Sequence, residues 1–123
     1  MISEQIIKTL STQIIREEDH QVKEVIAAAM GGIGLPEAQP CVESLIKILK
    51  ETASKTGYKK MNKSDAPNVR GMAVWALGRI VSVHTLTKVS RSFLSVLQDP
   101  YFKVRAAACS ALAVLGSTPI SDS

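Results

Sequence analysis

Apolar side chains recur every three or four residues along the chain, and one such pattern occurs three times. Three segments of thirteen residues, which begin at Val22, Val69 and Val104, align without a gap, and each opens with Val and a cation. With each opening Val counted as zero, offsets 0, 3, 4, 7, 8 and 11 are apolar in all three segments. Because successive residues of an α-helix are about 100° apart, the pattern predicts three amphipathic helices with the same buried face.

One position of this pattern carries the same residue in every copy. Offset seven is alanine, at Ala29, Ala76 and Ala111, whereas offset eight is Met or Leu and offset eleven is Ile or Leu. A small side chain at a fixed place on a helix favours close approach of a neighbouring helix. We therefore expect these alanines to mark helix crossings.

A second set of helices is expected between the repeated segments. Pro40 fits the first turn of one of them, where a missing N–H is tolerated, and glycines such as Gly34 and Gly116 end two of the repeated helices. The predicted order is A1-B1-A2-B2-A3-B3, with the repeated segments as the B helices and no strand. The apolar residues of the A helices are Ile6, Ile7, Leu10 and Ile14; Val42, Leu45, Ile46 and Leu49; and Leu86, Val89, Phe93, Val96 and Leu97.

Helical hairpins of this kind are expected to stack side by side. A lone hairpin leaves the outer sides of its helices in water, and stacking buries them at about 1.5–3 kcal/mol for each large aliphatic side chain. The sequence therefore predicts an all-α superhelix, or solenoid, of three hairpins at about residues 2–35, 37–82 and 84–117. Apolar residues on non-core positions, such as Ile2 and Val114, indicate missing neighbours, so we expect a fragment of a longer solenoid.

The repeated segments resemble the HEAT repeat, an armadillo-like α-solenoid family. The stretch from Asp99 to Gly116 has an Asp-Pro pair, a Val-Arg pair and then Ala and Ala-Leu spacing, like the second half of a HEAT repeat. The stretches Asp65 to Gly78 and Asp19 to Gly34 are similar, with Lys23 in place of Arg. The resemblance covers nearly the whole chain and implies a scaffold for other proteins, although HEAT arrays serve many unrelated partners.

An acidic residue stands three to five positions before each B helix. From position alone, these acids are expected to cap helices or to stabilise turns. The HEAT resemblance implies that they also form a ladder with the cations at offset one. The acids are Asp19, Asp65 and Asp99, and the cations are Lys23, Arg70 and Arg105.

Composition and motifs exclude several other classes of protein. The charge-free stretch from Val25 to Pro36 is about twelve residues long, against roughly 20 for a membrane span, so we expect no membrane association. The opening residues do not resemble a secretory signal, so we expect none. Cys41 and Cys109 stand alone, which favours reduced thiols in the cytoplasm or nucleus. Forty-six per cent of residues are hydrophobic but only 4% are aromatic, which suits closely packed helices.

We expect no enzyme, no cofactor, no metal site and no small-molecule substrate. His20 lies beside three acids, but it has no second ligand at helical spacing. No phosphate-binding loop, dinucleotide fingerprint, nucleophile elbow or zincin motif occurs. A HEAT-like enzyme, such as an alkylpurine glycosylase, would need a functional carboxylate in a cleft, and no residue of the sequence indicates one.

The connection between the helices of the second hairpin is unusually long. The interval from the last core aliphatic residue to the opening Val is 7 residues in hairpins one and three but 20 in hairpin two. The inserted residues are rich in Lys and include Tyr58, and net charge is −3 for residues 1–54 but +7 for residues 55–123. Solenoid insertions often form a binding rim, while a merely solvated loop is the alternative.

These observations predict a non-catalytic scaffold that binds another protein, and a partner with an acidic surface would suit the basic residues. Binding is expected on the inner surface formed by the B helices and on the basic loop at 55–65. Trp75 is either packed between hairpins or exposed as an anchor. The alternative is electrostatic binding of tubulin, as in HEAT-built TOG domains, or of nucleic acid. The candidate partner-binding residues are Lys55, Tyr58, Lys59, Lys60, Lys63, Arg70, Trp75, Arg79 and Lys103.

Overall fold

In the parts of the chain that the structure describes, six helices follow one another as three hairpins. The structure, a computed structural model, describes residues 2–53 and 66–117. These ranges contain no strand, and a short 3-10 turn at Gln39–Cys41 precedes the second hairpin. The predicted all-α architecture and its A-to-B order are confirmed. The helices are α1 Glu4–Arg16, α2 His20–Ile33, α3 Val42–Ala53, α4 Ala66–Ile80, α5 Leu86–Val96 and α6 Phe102–Ser117.

Polar caps and a glycine fix the ends of the first two helices. The Ser3 hydroxyl accepts a hydrogen bond from the amide of Ile6, and Asp19 Oδ1 accepts one of 3.1 Å from the amide of Val22. Both satisfy amides that have no partner inside the helix. Gly34 ends α2 with φ of 70°, a conformation that favours glycine. The capping role expected of Asp19 is therefore confirmed.

The core consists of aliphatic side chains and Phe93, which the helices turn toward one another. In α4, the central B helix, the side predicted to be apolar is buried, with Met72 only partly so. Within residues 2–53 and 66–117, no helix combines the length and hydropathy of a membrane span. The largest fully buried side chains are Ile14, Met30, Leu45, Ile48, Leu77, Ile80, Val42, Val69, Val74, Val89, Val96 and Val104.

Helix α2 departs from the shared pattern. Val22 and Val25 are 42% and 66% exposed, and Ala29 is also exposed. In the described residues α2 packs against α4 on one side, so its opposite side faces solvent. The expectation that Ala29 marks a helix crossing is therefore wrong, and Gly31 occupies the crossing instead.

The B helices pack against one another through small residues. A Cβ atom added to Gly78 of α4 would lie 2.7 Å from Cβ of Ala111 in α6, and one added to Gly31 would lie 3.0 Å from Cα of Ala76. The predicted crossings at Ala76 and Ala111 are thus confirmed. The B helices approach one another more closely than the A helices do, so the array is tighter on its B side.

Gly78→Ala is expected to destabilise the protein, because the new methyl group would overlap Ala111 and overpacking costs about 1–3 kcal/mol. Gly32→Ala is the matched control, since a Cβ there meets nothing within 4 Å. The control should stabilise the helix by about 0.5–1 kcal/mol through lower backbone entropy in the unfolded chain. Urea unfolding followed by circular dichroism measures both. Equal changes in the two variants would contradict the close crossing.

Candidate protein-interaction surface

The exposed side of the three B helices forms a surface that we call the B-helix surface. Offsets −1, 6 and 10 from the opening Val lie within about 40° of one another around a helix. All nine residues at these offsets are exposed or partly exposed. They include two cations and no acid: Gln21, Ala28 and Gly32 of α2; Asn68, Trp75 and Arg79 of α4; and Lys103, Ser110 and Val114 of α6.

Trp75 lies at the centre of the B-helix surface and also contacts the preceding hairpin. Its indole rests on the backbone of α2 at Gly31, where an added Cβ would come within 2.5 Å of Cζ3 of the ring. The side chain nevertheless remains 37% exposed. One part of the ring therefore packs between hairpins, and another part faces solvent. The role of Trp75 as a binding anchor stays a prediction.

Arg79 also contacts the indole of Trp75. Its guanidinium carbon lies 5.2 Å from the centroid of the Trp75 ring, within the range of a cation–π contact. Its Nε also donates a 2.8 Å hydrogen bond to the carbonyl of Gly31, in the last turn of α2. Carbonyl groups in the last turn of a helix accept no hydrogen bond from within that helix, and they carry partial negative charge. Arg79 thus ties α4 to α2 and holds Trp75 in place while staying exposed.

The other candidate binding residues fall into two groups. Lys103 is exposed at the start of α6, on the same surface as Trp75 and Arg79. The candidates of the basic loop lie outside the described residues: Lys55, Tyr58, Lys59, Lys60 and Lys63. The structure therefore places Trp75, Arg79 and Lys103 on the B-helix surface.

Arg70 does not belong to that surface. It is 2% exposed, and its Nε donates to Oδ2 of Asp99 at 2.7 Å. Its Nη1 donates to the Leu49 carbonyl and the Thr52 hydroxyl, each at 2.7 Å. The interpretation of Arg70 as a partner-binding cation is therefore wrong, because its guanidinium is buried and hydrogen-bonded inside the array.

The pair formed by Arg70 and Asp99 is one rung of the ladder that the family resemblance implied. Asp99 precedes α6, and its Oδ1 also accepts the Tyr101 amide at 3.0 Å. The pair therefore joins the second hairpin to the third. Arg105, at the corresponding offset in α6, donates through Nη1 to the backbone carbonyl of Asp99. Asp65 lies outside the described residues.

Lys23 occupies the corresponding position in the first hairpin. Its Nζ donates a 2.8 Å hydrogen bond to the carbonyl of Ile14, near the end of α1. Burial lowers the pKa of Lys23, and the negative charges of Glu51 and Glu17 partly oppose that shift. Like Arg70, this cation binds a carbonyl of the A helix of its own hairpin.

A groove of about 860 Å³ lies between α1 and the start of α3. Its walls include Ile7, Ser11 and Val42, with Glu4 and Glu43 among the charged residues. In the described ranges, no three His, Cys, Asp or Glu residues converge in a way that could hold a metal ion. The B-helix surface, and not this groove, carries the aromatic and cationic side chains discussed above.

A family comparison finds a similarity in the third hairpin. Residues 91–118 match the family model of the HEAT repeat. The matched segment covers about half of α5, the turn with Asp99 and all of α6. This segment is therefore similar to a HEAT repeat. HEAT repeats are generally elements of protein-interaction scaffolds, and the family is typically non-catalytic. Searches of curated proteins and of solved structures found no match to the chain.

Arg70→Met is expected to lower the free energy of unfolding by about 3–5 kcal/mol, because it leaves the buried Asp99 carboxylate without its cation. Lys103→Met removes the same charge at an exposed site and should change stability by less than about 0.5 kcal/mol. Urea titration with fluorescence detection of Trp75 compares the two variants. Similar midpoints would show that the buried pair does not hold the hairpins together.

The two thiols are expected to react at very different rates. Cys41 is fully buried, and burial raises its pKa, so both access and the thiolate fraction are reduced. Cys109 is exposed on α6. Labelling of dilute protein with iodoacetamide, followed by peptide mass spectrometry, should modify Cys109 first and Cys41 only as the protein unfolds. Early labelling of Cys41 would contradict its position in the core.

Proposed function

We propose that this chain is a non-catalytic scaffold that holds a protein partner on the B-helix surface. The fixed pair of Trp75 and Arg79 is the observation that carries the proposal, and the match to the HEAT repeat supports the class of function. Lys103 extends the contact, and the lysines of the 55–65 segment are further candidates for binding. The unpaired cysteines support a reducing location, the cytoplasm or nucleus.

Trp75 and Arg79 have the properties of a binding anchor. Trp and Arg are enriched among the residues that dominate interface energies. Both side chains are already immobilised by α2 in the free protein, so binding costs little additional side-chain entropy. The adjacent positions on α2 and α6 are Ala28, Gly32 and Ser110, and these short side chains leave the indole accessible to a partner.

The charge of the surface indicates what kind of protein fits it. Arg79 and Lys103 are its charged residues, and no acid occupies any of its nine positions. Four further lysines stand in the 55–65 segment. An acidic protein surface with an apolar centre would complement this arrangement in both charge and shape.

Partner capture with matched variants tests the proposal. A partner isolated with the intact chain should bind Trp75→Ala at least about 30-fold more weakly, as expected for a hot-spot residue. Lys103→Glu should also weaken binding, whereas Lys8→Glu, the same change on exposed α1, should not. Circular dichroism confirms that each variant is folded. A large loss of stability in Trp75→Ala with unchanged affinity would contradict the anchor role.

The second candidate function is electrostatic binding of tubulin or nucleic acid through the lysines of the loop. The uneven charge, −3 in residues 1–54 and +7 in residues 55–123, favours it. Purified tubulin and a single-stranded oligonucleotide are the probes. Affinity that collapses between low and moderate salt, and that is lost in the Lys59→Glu/Lys60→Glu double variant, would support this function. Affinity that withstands moderate salt but is lost in Trp75→Ala would support the scaffold instead.

A further inference from the structure

The two outermost B helices expose sides that carry no charge. On each of them, three neighbouring positions point away from α4, the central B helix. We call these the α2 outer face and the α6 outer face. The α2 outer face consists of Val22, Val25 and Ala29, and the α6 outer face of Ala106, Cys109 and Ala113, all of them exposed.

The two outer faces correspond to the two sides of a junction inside the array. At the junction of α4 with α6, the contacting residues of α4 are Gly71 and Gly78, at offsets 2 and 9 from its opening Val. The contacting residues of α6 are Ala107 and Ala111, at offsets 3 and 7 from its own opening Val. The α6 outer face carries offsets 2 and 9 of its own helix. The α2 outer face carries offsets 3 and 7. Each face is therefore the counterpart of the other, in the register that the internal junction already uses.

Exposed apolar area is concentrated around these faces. Val25 on the α2 outer face is 66% exposed, and Phe102 at the start of the α6 outer face is 71% exposed. The neighbouring A helices add Ile6, 48% exposed on the side of α1 turned away from α3, and Leu94, 67% exposed on α5. Large exposed apolar side chains beside an uncharged helix face are expected at an interaction site.

Charge complementarity identifies the occupant. Residues 2–35 contain three Lys and Arg against five Asp and Glu, whereas residues 84–117 contain four against one. Arg105 holds the offset that Arg70 holds in α4, and Asp19 precedes α2 as Asp99 precedes α6. Both Arg105 and Asp19 are exposed. A second copy stacked on α6 would bring its Asp19 toward Arg105, in the way that Asp99 meets Arg70.

We propose that this chain associates head to tail, with the α6 outer face of one copy bound to the α2 outer face of a second copy. This goes beyond the scaffold function, which uses another side of the B helices. The contact joins two different faces, so it leaves one face of each kind unoccupied and the assembly grows as an open chain. The B-helix surfaces of successive copies would then be continuous.

Sedimentation velocity over a concentration series, from about 10 μM to about 1 mM, tests the association over the range of weak protein interfaces. The wild-type chain should pass from monomer through dimer to larger species. Val25→Glu and Ala113→Glu should each remain monomeric, because each places a charge on one outer face. Val83→Glu is the control, because it makes the same change as Val25→Glu at a loop position that is 42% exposed. This variant should associate like the wild type. A wild-type chain that stays monomeric throughout would overturn the proposal.

Mixing the two blocked variants distinguishes head-to-tail contact from other modes. Val25→Glu retains its α6 outer face, and Ala113→Glu retains its α2 outer face. An equimolar mixture should therefore form a dimer containing one copy of each variant and nothing larger. A mixture that remains monomeric, or variants that associate as well as Val83→Glu, would show that these faces do not bind each other.

Two further readouts report on the contact itself. Labelling of Cys109 should slow at least tenfold between dilute and concentrated wild-type protein but not in Ala113→Glu, since the thiol lies within the α6 outer face. Arg105→Glu should weaken association at least tenfold, whereas Lys103→Glu, with the same change in net charge, should not. A Cys109 rate independent of concentration in a sample that does associate would place the contact elsewhere.

Discussion

The buried ion pair between Arg70 and Asp99 is the constraint on which the stacking of the second and third hairpins depends. A guanidinium removed from water is tolerated only where several acceptors surround it. Here the carboxylate comes from the third hairpin, while the Leu49 carbonyl and the Thr52 hydroxyl come from the end of α3. The pair therefore fixes three segments relative to one another. Hydrophobic contacts between smooth helical faces would leave their register less strictly defined.

The B-helix surface owes its geometry to the same close packing. Gly31 lets the indole of Trp75 rest on α2, and the carbonyl of Gly31 receives Arg79. Packing and exposure are thus not alternatives at this site, since the contact that stabilises the hairpin junction also orients the part of the ring that faces solvent. This combination of a fixed aromatic ring, adjacent cations and short neighbouring side chains is what supports a role in holding a protein partner.

Much of the fold could be predicted from the sequence because helical spacing reports burial directly, as in α4, which is packed on both sides. The same spacing overestimated burial in α2, where Val22, Val25 and Ala29 keep the repeat pattern but have no neighbouring helix in the described residues. Charge alone placed Arg70 on the surface, because its carboxylate partner stands 29 positions away. The spacing of Trp75 and Arg79 could have indicated their stacking, whereas the role of Gly31 depends on a contact between distant parts of the chain.

The contact of Gly78 with Ala111 sets the distance between two B helices to within the size of a methyl group. The A helices on the other side of the array are spaced by larger side chains and lie farther apart. The curvature of a solenoid is the difference between these two spacings accumulated over successive repeats. A single carbon added or removed at such a crossing would therefore bend the whole array, so the shape offered to a partner can be tuned without altering any residue that touches it.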